Sequence, residues 1–337
     1  MVTQLISQRD LQRARNLVES SGLAFEENFD VLVGIFEAGA LVAVAARQGN
    51  ILKMFAIAPS HRGGPALGEL ATELIRGGSA AGCETFFVFT APANAAAFQA
   101  LNFAPLVHHP LAVLLEYGGG LPRYLAAHRH LVRPGRNGAV VVNCNPFTRG
   151  HRYLIEQAAG QVDHLYVFVV REDRSAFPFA VRLRLVEEGI RDLANVSVLD
   201  SSHYAVSAVT FPAYFLKDPD SAATVQMEID LMLFGRHIAP FFHINHRFIG
   251  TEPYCRTTRR YGETMRRLLP DYGIATVQLE RLQAGEEMVS AWRVREALRR
   301  EAFEELRRLV PKSTFDFLLS DAGREIREKL CTYSRRH

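Results

Sequence analysis

The strongest constraint on the fold is an alternation of apolar strands and helices that begins at Gly138. Three nearly continuous apolar runs occur there, namely GAVVVNC, HLYVFVV and VSVLDS, and each of the first two is followed by a segment of helical character. Strands that are apolar along their whole length are typical of a parallel sheet covered by helices on both faces. The pattern therefore predicts an α/β unit with a parallel sheet in this half of the chain.

The first half of the chain has a different order of elements. It begins with a strand meander, LVGIFEAGALVAVAARQGNILKMFAIAPS, in which Gly39, Gly49 and Asn50 mark the turns. A helix with leucines at helical spacing, PALGELATELI, and the apolar strands TFFVFT and LAVLLEY follow. We predict an α/β domain over residues 1–117, a linker rich in Gly and Pro over 118–137, and a second domain over 138–337 that ends in a helical tail.

Composition argues against several functional classes. The formal net charge is +3, which is too small for a protein that binds nucleic acid through bulk charge. No apolar run reaches the ~18 residues of a membrane span, and the N-terminus has no basic region followed by an apolar core. We therefore expect a cytoplasmic protein with neither nucleic acid nor a membrane as a partner. The cysteines and histidines have no recognised ligand spacing, so no protein metal site is predicted.

The turn NPFTRGH, which follows the strand GAVVVNC, is the first candidate for a functional site. Ligands of doubly wound sheets bind beyond the carboxyl ends of the strands, and the N-terminus of a helix attracts phosphate. Gly150 allows a close approach of the backbone, Thr148 can cap the helix, and His151 can direct its ring at the same anion. The alternative is a structural turn in which Thr148 only caps the helix and His151 is incidental.

A second candidate segment, VSAWRVREALRR, begins at Val289. Ser290 can cap this helix, and Arg293 and Arg295 lie near its start, where an arginine can reach a phosphate held at the amide end. An amphipathic surface helix with solvated arginines would explain the same pattern if the segment stood alone. Together with the earlier turn, the segment favours a phosphate site.

Both segments resemble motifs of the nucleotidylyltransferase superfamily. Thr148–His151 resembles T/H-x-G-H, and the segment from Val289 resembles I-S-x-S/T-x-x-R, with Trp292 in place of the usual small hydroxyl residue. The resemblance implies that His151 and Thr148 are catalytic, stabilising charge as pyrophosphate leaves without a protein nucleophile. The residues that it implies for cofactor binding are Asn145, Pro146, Phe147, Gly150, Arg182, Ser290, Arg293 and Arg295. For Arg182, as for Arg184, an exposed surface position remains the alternative.

Three longer segments resemble the citrate lyase ligase family: NCNPFTRGHRYLIEQAA, VTFPAYFLK and HRFIGTEPYCRTTRRYGETM. That family joins an N-terminal GNAT-like α/β domain to a Rossmann-like nucleotidylyltransferase domain with a parallel sheet. The resemblance implies that ATP and acetate give acetyl-adenylate and pyrophosphate. The thiol of a dephospho-CoA-derived prosthetic group, on the acyl carrier subunit of citrate lyase, then takes the acetyl group, AMP leaves and the lyase is activated. Mg²⁺ is expected with ATP, bound mainly through the phosphates.

Several alternatives stay open at this point. The same chemistry can act on the carrier of malonate decarboxylase, and the chain can also be an adenylyltransferase of coenzyme biosynthesis or a non-catalytic adaptor that binds a carrier. In the first domain, Pro65 stands where the GNAT acetyl-CoA turn has a glycine, and proline offers no N–H to a phosphate. We therefore expect weak binding of CoA there. Lys217, Glu252, Thr258 and Tyr261 lie in the family-like segments without an assignable role.

Overall fold

The computed structural model of the protein describes residues 1–171, 175–205, 214–216, 219–252, 255–284 and 287–332. Contacts within the chain divide it into two compact units. The first unit consists of Met1–Ala126 and the described residues of Val206–Asp230, and the second consists of Ala127–Ala205 and the described residues of Leu231–His337. In the described ranges, no helix is both long enough and apolar enough to cross a lipid bilayer.

The first unit is built on one seven-stranded sheet. Its strands are β1 (Val2–Gln4), β2 (Val31–Glu37), β3 (Ala40–Gln48), β4 (Ile51–Ile57), β5 (Phe86–Thr90), β6 (Ala104–His108) and β7 (Val113–Tyr117). Its helices are α1 (Gln8–Ser20), α2 (Ala66–Ala80), α3 (Ala95–Gln99) and α4 (Gly120–Ala127). The strand order is β1-β2-β3-β4-β5-β7-β6, and within it only the β4–β5 pair is parallel among the pairings of the described residues.

Two apolar layers cover this sheet. One layer contains Leu70 and Leu74 of α2 together with Phe98 of α3, and the other contains Ala14 and Val18 of α1. The leucine spacing of α2 therefore buries one face of that helix, as its sequence predicts. The order of meander, helix, strand, helix and final strands confirms the predicted GNAT-like α/β arrangement of the first domain.

A segment far along the sequence packs into the first unit. The hydroxyl of Tyr214 donates a hydrogen bond to the carbonyl of Phe89 at 3.0 Å, and the carbonyl of Tyr214 accepts one from the N–H of Ala24 at 2.7 Å. The predicted boundaries place this segment in the second domain. The structure assigns it to the first unit because its aromatic side chains join the apolar layer of α1. Residues 209–213 of the same family-like segment, and Lys217, lie outside the described residues.

The second unit is built on a five-stranded sheet. Its sheet strands are β8 (Asn137–Val142), β9 (His164–Val169), β10 (Val196–Asp200), β11 (Ile244–Gly250) and β12 (Ala275–Leu279), and a separate short ribbon pairs β13 (Gln283–Ala284) with β14 (Glu287–Met288). The first helices are α5 (Arg149–Ala159), α6 (Phe179–Gly189) and α8 (Ala239–Phe241). Helix α7 (Pro219–Leu233), which continues as a π-helical turn at Phe234–Ile238, belongs to the first unit up to Asp230 and to the second unit from Leu231. The later helices are α9 (Arg256–Leu268), α10 (Ala291–Arg299), α11 (Phe303–Leu309), α12 (Lys312–Leu319) and α13 (Asp321–Thr332).

The topology of this sheet confirms the predicted parallel α/β unit and fixes where a ligand can bind. The strand order is β10-β9-β8-β11-β12, and every neighbouring pair is parallel. From β8 the chain moves outward through β9 to β10 and then crosses to the other side for β11 and β12. The strand order therefore reverses between β8 and β11, and the carboxyl ends of these two strands flank a crevice.

Candidate functional site

A cavity of about 1010 Å³ lies at the point where the strand order reverses. Its wall comprises the turn after β8, the segment after β11 and the stretch that leads from β12 into α10. The N-terminal ends of three helices contribute to this wall, namely α5 through Gly150 and His151, α9 through Arg256, and α10 through Ala291. Unpaired amides and the helix dipole make each such end a favourable place for an anion. Their convergence suits a ligand with several negative charges.

Thr148 and His151 together cap helix α5. The hydroxyl oxygen of Thr148 accepts a hydrogen bond from the N–H of His151 at 3.2 Å, and the Nδ1 atom of His151 accepts one from the N–H of Thr148 at 3.1 Å. This reciprocal pair is a capping box in which a histidine takes the usual place of a glutamate or glutamine. The ring also stacks on Phe147, with 6.0 Å between the ring centroids. The cap therefore holds the imidazole in one orientation.

The cap also sets the protonation state of His151. Because Nδ1 accepts a hydrogen bond, it carries no proton, and the proton of the neutral ring lies on Nε2. Burial, and to a lesser extent the positive charge of Arg281, lower the pKa of His151 to about 4. The side chain lines the cavity. At neutral pH it therefore offers the cavity an N–H donor on an uncharged ring.

The lowered pKa predicts a pH-dependent stability. The unfolded histidine titrates near ~6.5, so between that value and the folded value of about 4 the unfolded state binds more protons. The contribution of His151 to the free energy of unfolding is fully present above the pKa of the unfolded state. It decreases as the pH falls toward the pKa of the folded state. We expect the stability of the wild-type protein, relative to the His151→Asn variant, to decrease between about pH 7.5 and about pH 5 in urea titrations. A stability difference that stays constant over this range would contradict the lowered pKa of His151.

Gly150 brings the early turn and the late segment into contact. A Cβ atom on this residue would lie 3.1 Å from the carbonyl oxygen of Val289, which is closer than a side chain normally approaches. Ser290 follows directly, caps α10 and accepts a hydrogen bond from the N–H of Arg293 at 3.3 Å. Val289 and Val294 are buried in the same core cluster as Phe147. Residues about 140 positions apart in sequence are therefore neighbours at the cavity.

Arg295 connects the two segments through a buried hydrogen bond. Its guanidinium donates to the carbonyl oxygen of Asn145 at 2.6 Å, and the side chain is almost entirely buried. Arg293 lies two residues nearer the helix start and forms an ion pair with Glu305 at 3.1 Å. Both arginines line the cavity. Arg295 thus positions the turn, whereas Arg293 is a cation at the cavity wall that is already ion-paired.

Seven of the predicted site residues line the cavity, and three do not. The seven are Asn145, Thr148, Gly150, His151, Ser290, Arg293 and Arg295. Phe147 is fully buried and packs against Gly189, where a Cβ atom would lie 2.3 Å from its ring. Pro146 is buried after a cis peptide bond to Asn145. Neither residue lines the cavity, and their predicted contact with a cofactor stays a prediction.

Arg182 also does not line the cavity and is fully buried. The alternative of an exposed surface position is therefore wrong, whereas the predicted role of Arg182 in cofactor binding stays a prediction. Its guanidinium donates hydrogen bonds to the carbonyl oxygens of Asn143 (2.7 Å), Val170 (2.8 Å) and Phe177 (3.0 Å). Arg182 therefore ties the ends of β8 and β9 to the start of α6.

No role was predicted from the sequence for two residues of the cavity wall, Arg281 and Glu252. Arg281 lies two residues beyond the end of β12, forms an ion pair with Glu252 and lowers the pKa of His151. Glu252 also accepts a hydrogen bond from the N–H of Cys255, just before α9, at 3.0 Å. The position of Arg281 directly after a parallel strand was the signal that could have found it, because ligand edges lie there.

The cavity wall also contains two cysteines, Cys144 and Cys255, and several carboxylates. Burial raises the pKa of the Cys144 thiol, so this residue is not a thiolate nucleophile at neutral pH. Glu252, Glu280 and Glu296 contribute carboxylates to the wall. Among the residues that the structure describes, no group of three such acidic, histidine or cysteine side chains is arranged to hold a metal ion.

Sequence comparisons place this site in a known context. A family model described as "Citrate lyase ligase C-terminal domain" matches residues 137–318, more than half of the chain. A [Citrate [pro-3S]-lyase] ligase of Klebsiella pneumoniae is 42% identical over 85% of this chain and 85% of its own length. One from Escherichia coli is 37% identical over 89% and 88%. A phosphopantetheine adenylyltransferase of Streptococcus gordonii is 32% identical over 28% of this chain and 61% of that protein.

Proposed function

This chain belongs to the citrate lyase ligase family, and we propose that it activates citrate lyase by ATP-dependent acetylation of the lyase's acyl carrier subunit. In the proposed reaction, a carboxylate oxygen of acetate attacks the α-phosphorus of ATP and pyrophosphate leaves. The thiol of the carrier's dephospho-CoA-derived prosthetic group then attacks the acetyl carbonyl, a thioester forms and AMP leaves. The observation that carries the proposal is the convergence of the capped N-termini of α5 and α10 on one cavity.

The donors of this cavity fit a triphosphate. Three helix N-termini supply amides, and Arg293 and Arg281 supply positive charge, whereas Lys is absent from the wall formed by the described residues. Arginine and backbone amides together suit phosphate oxygens, since the guanidinium fork can bind two oxygens at once. Mg²⁺ would accompany ATP and be bound mainly by the phosphates, as it usually is in nucleotide sites.

In this proposal the protein acts by positioning and by charge stabilisation. The Nε2–H of His151 and the first amides of α5 face the charge that develops on pyrophosphate as it leaves. Donors that are already oriented need no reorganisation during the reaction, which is the largest source of catalysis in such sites. Thr148 fixes the ring of His151, and Arg295 fixes the turn at Asn145. The phosphorus is attacked by the substrate itself, so no protein nucleophile is needed.

The direct test is exchange of labelled pyrophosphate into ATP. We expect exchange that depends on acetate and requires no carrier, because the adenylate forms before the thiol reacts. Exchange that requires phosphopantetheine or a mononucleotide instead of acetate would identify an adenylyltransferase of coenzyme biosynthesis. Absence of any exchange, with binding of a carrier subunit retained, would identify an adaptor. Transfer of acetyl to purified carrier subunits of citrate lyase and of malonate decarboxylase then distinguishes the two acceptors.

The late segment can be tested separately from the early turn. Ser290→Ala combined with Arg295→Ala removes a helix cap of ~1 kcal/mol and a charge-assisted hydrogen bond of ~1.5–3 kcal/mol that hold the phosphate wall together. We expect acetate-dependent exchange to fall by at least ~10-fold, with binding of the carrier subunit unchanged. Arg307→Ala, which removes an exposed arginine of α11 that stacks on Phe315, is the matched control and should retain exchange. Loss of carrier binding alone would place α10 outside the ATP site.

A further inference from the structure

We propose that Trp292 is a stacking platform for the purine base of a nucleotide at the rim of the cavity. This role rests on the proposed function and deepens it. It gives a binding role to Trp292, a residue at which the segment from Val289 departs from the I-S-x-S/T-x-x-R motif. Trp292 stands where that motif carries a small hydroxyl residue. A small hydroxyl side chain is thus replaced by a large, flat aromatic one.

The exposure of Trp292 is unusual for its type. Its side chain remains 43% exposed while lining the cavity. The other large exposed apolar residues of the described chain are Met1, Ile6, Leu111, Phe303 and Leu319, and none of them lines the cavity. Tryptophan is usually well buried, and an exposed aromatic at a cavity rim is a common binding feature. Trp292 is also the single tryptophan of the sequence.

Helix α10 directs one of its faces along the cavity. Trp292 is the second residue of the helix and lies two positions after the cap residue Ser290. Glu296 and Arg300 follow at intervals of four residues and also line the cavity. Residues four apart share one face of a helix. Trp292, Glu296 and Arg300 therefore form one stripe along the cavity wall, which begins near the N-terminus proposed to bind phosphate.

This placement fits the geometry of a nucleotide. If a triphosphate occupies the helix N-termini, the base lies beyond them, separated by the ribose, and needs an apolar contact instead of further amides. Indole provides the most effective aromatic surface for this contact, and every purine has a flat face to offer. Arg293 and the N-terminus of α10 then contact phosphate, while the side chain of Trp292 contacts the base.

Two sources can supply the base, since ATP and the carrier's dephospho-CoA-derived group both contain adenine. Isothermal titration calorimetry with ATP, inorganic tripolyphosphate and dephospho-CoA distinguishes them. We expect Trp292→Ala to weaken the binding of ATP by about 5- to 150-fold, the equivalent of ~1–3 kcal/mol of base stacking, and to leave tripolyphosphate unaffected. Trp292→Phe should retain most of the affinity. Phe303→Ala, an exposed aromatic outside the cavity, is the matched control and should bind all three ligands normally.

Each outcome of this titration has a defined meaning. A loss confined to dephospho-CoA also supports stacking and assigns the base to the carrier arm. If wild type and Trp292→Ala bind ATP with the same affinity, and also bind dephospho-CoA with the same affinity, the stacking role is overturned while the proposed function stays intact. An equal loss for tripolyphosphate overturns it as well, because the residue would then act on the phosphate wall. A wild-type protein that binds none of the three ligands contradicts both the stacking role and the proposed function.

Discussion

Replacing His151 by alanine should lower acetate-dependent exchange of pyrophosphate into ATP by at least ~100-fold, the scale of losing one oriented transition-state donor. The reason is that the helix cap fixes the ring with Nδ1 as acceptor, so that Nε2 carries the proton toward the cavity. The lowered pKa keeps the ring neutral, so the loss should be nearly independent of pH in the neutral range. Exchange at the wild-type rate in this variant would refute the role assigned to His151.

Two further substitutions separate the proposed catalytic role of His151 from its role in the helix cap. In His151→Asn, the side-chain oxygen can replace Nδ1 as acceptor for the Thr148 N–H, but no donor replaces Nε2. We expect near-normal stability at neutral pH and the full loss of exchange. In His151→Gln, the longer amide can reach the position of Nε2, and we expect partial activity. If His151→Asn retains exchange and only His151→Ala loses it, His151 serves the helix cap alone.

Arg182→Met should strongly reduce the stability of the folded protein. The variant leaves three carbonyl oxygens without their buried donor, those of Asn143 and Val170 after β8 and β9 and that of Phe177 before α6. Each unsatisfied buried acceptor costs ~1–3 kcal/mol, and disruption of a buried charged network commonly costs ~3–5 kcal/mol in total. We expect a loss of about that size in the free energy of unfolding, measured by urea titration. Exchange should fall in parallel, because Asn143 and the following turn lose their support.

Arg184→Met provides the matched control on the same helix. Arg184 is about half exposed, lies over the ring of Phe317 at 5.1 Å and approaches Glu188 at 3.8 Å. Exposed contacts of this kind contribute little, so we expect a change within ~0.5 kcal/mol. Similar losses in the two variants would show that Arg182 contributes no more than an ordinary surface arginine.

The start of each candidate helix could be read from the sequence because capping is local. Thr148 and Ser290 each accept a hydrogen bond from a residue three positions later, so the hydroxyl residue and the helix that follows it are visible in one short segment. Apolar periodicity is equally local, and it placed the parallel sheet and the meander correctly. The expectation that the early turn and the late segment meet came from the resemblance to a family.

The burial of Arg182 is a case in which a local signal existed but was ambiguous. Leu185, Val186 and Gly189 lie on the same face of α6 as Arg182, and all four are buried. The spacing therefore placed the arginine on the core-facing side of the helix. Only the folded chain shows why a charge is tolerated there, because its partners come from Asn143 and Val170, which belong to other parts of the sequence.

By itself, the sequence determined the α/β class, the two sheets, the two capped turns and the residue types available for binding an anion. The tertiary structure decided which of those residues line the cavity and which support it, placed Arg281 beside His151, and assigned the segment of Tyr214 to the first unit. The physical reason is the range of the interactions. Periodicity and capping act over three or four residues, whereas burial and hydrogen bonding to distant carbonyls depend on the path of the whole chain.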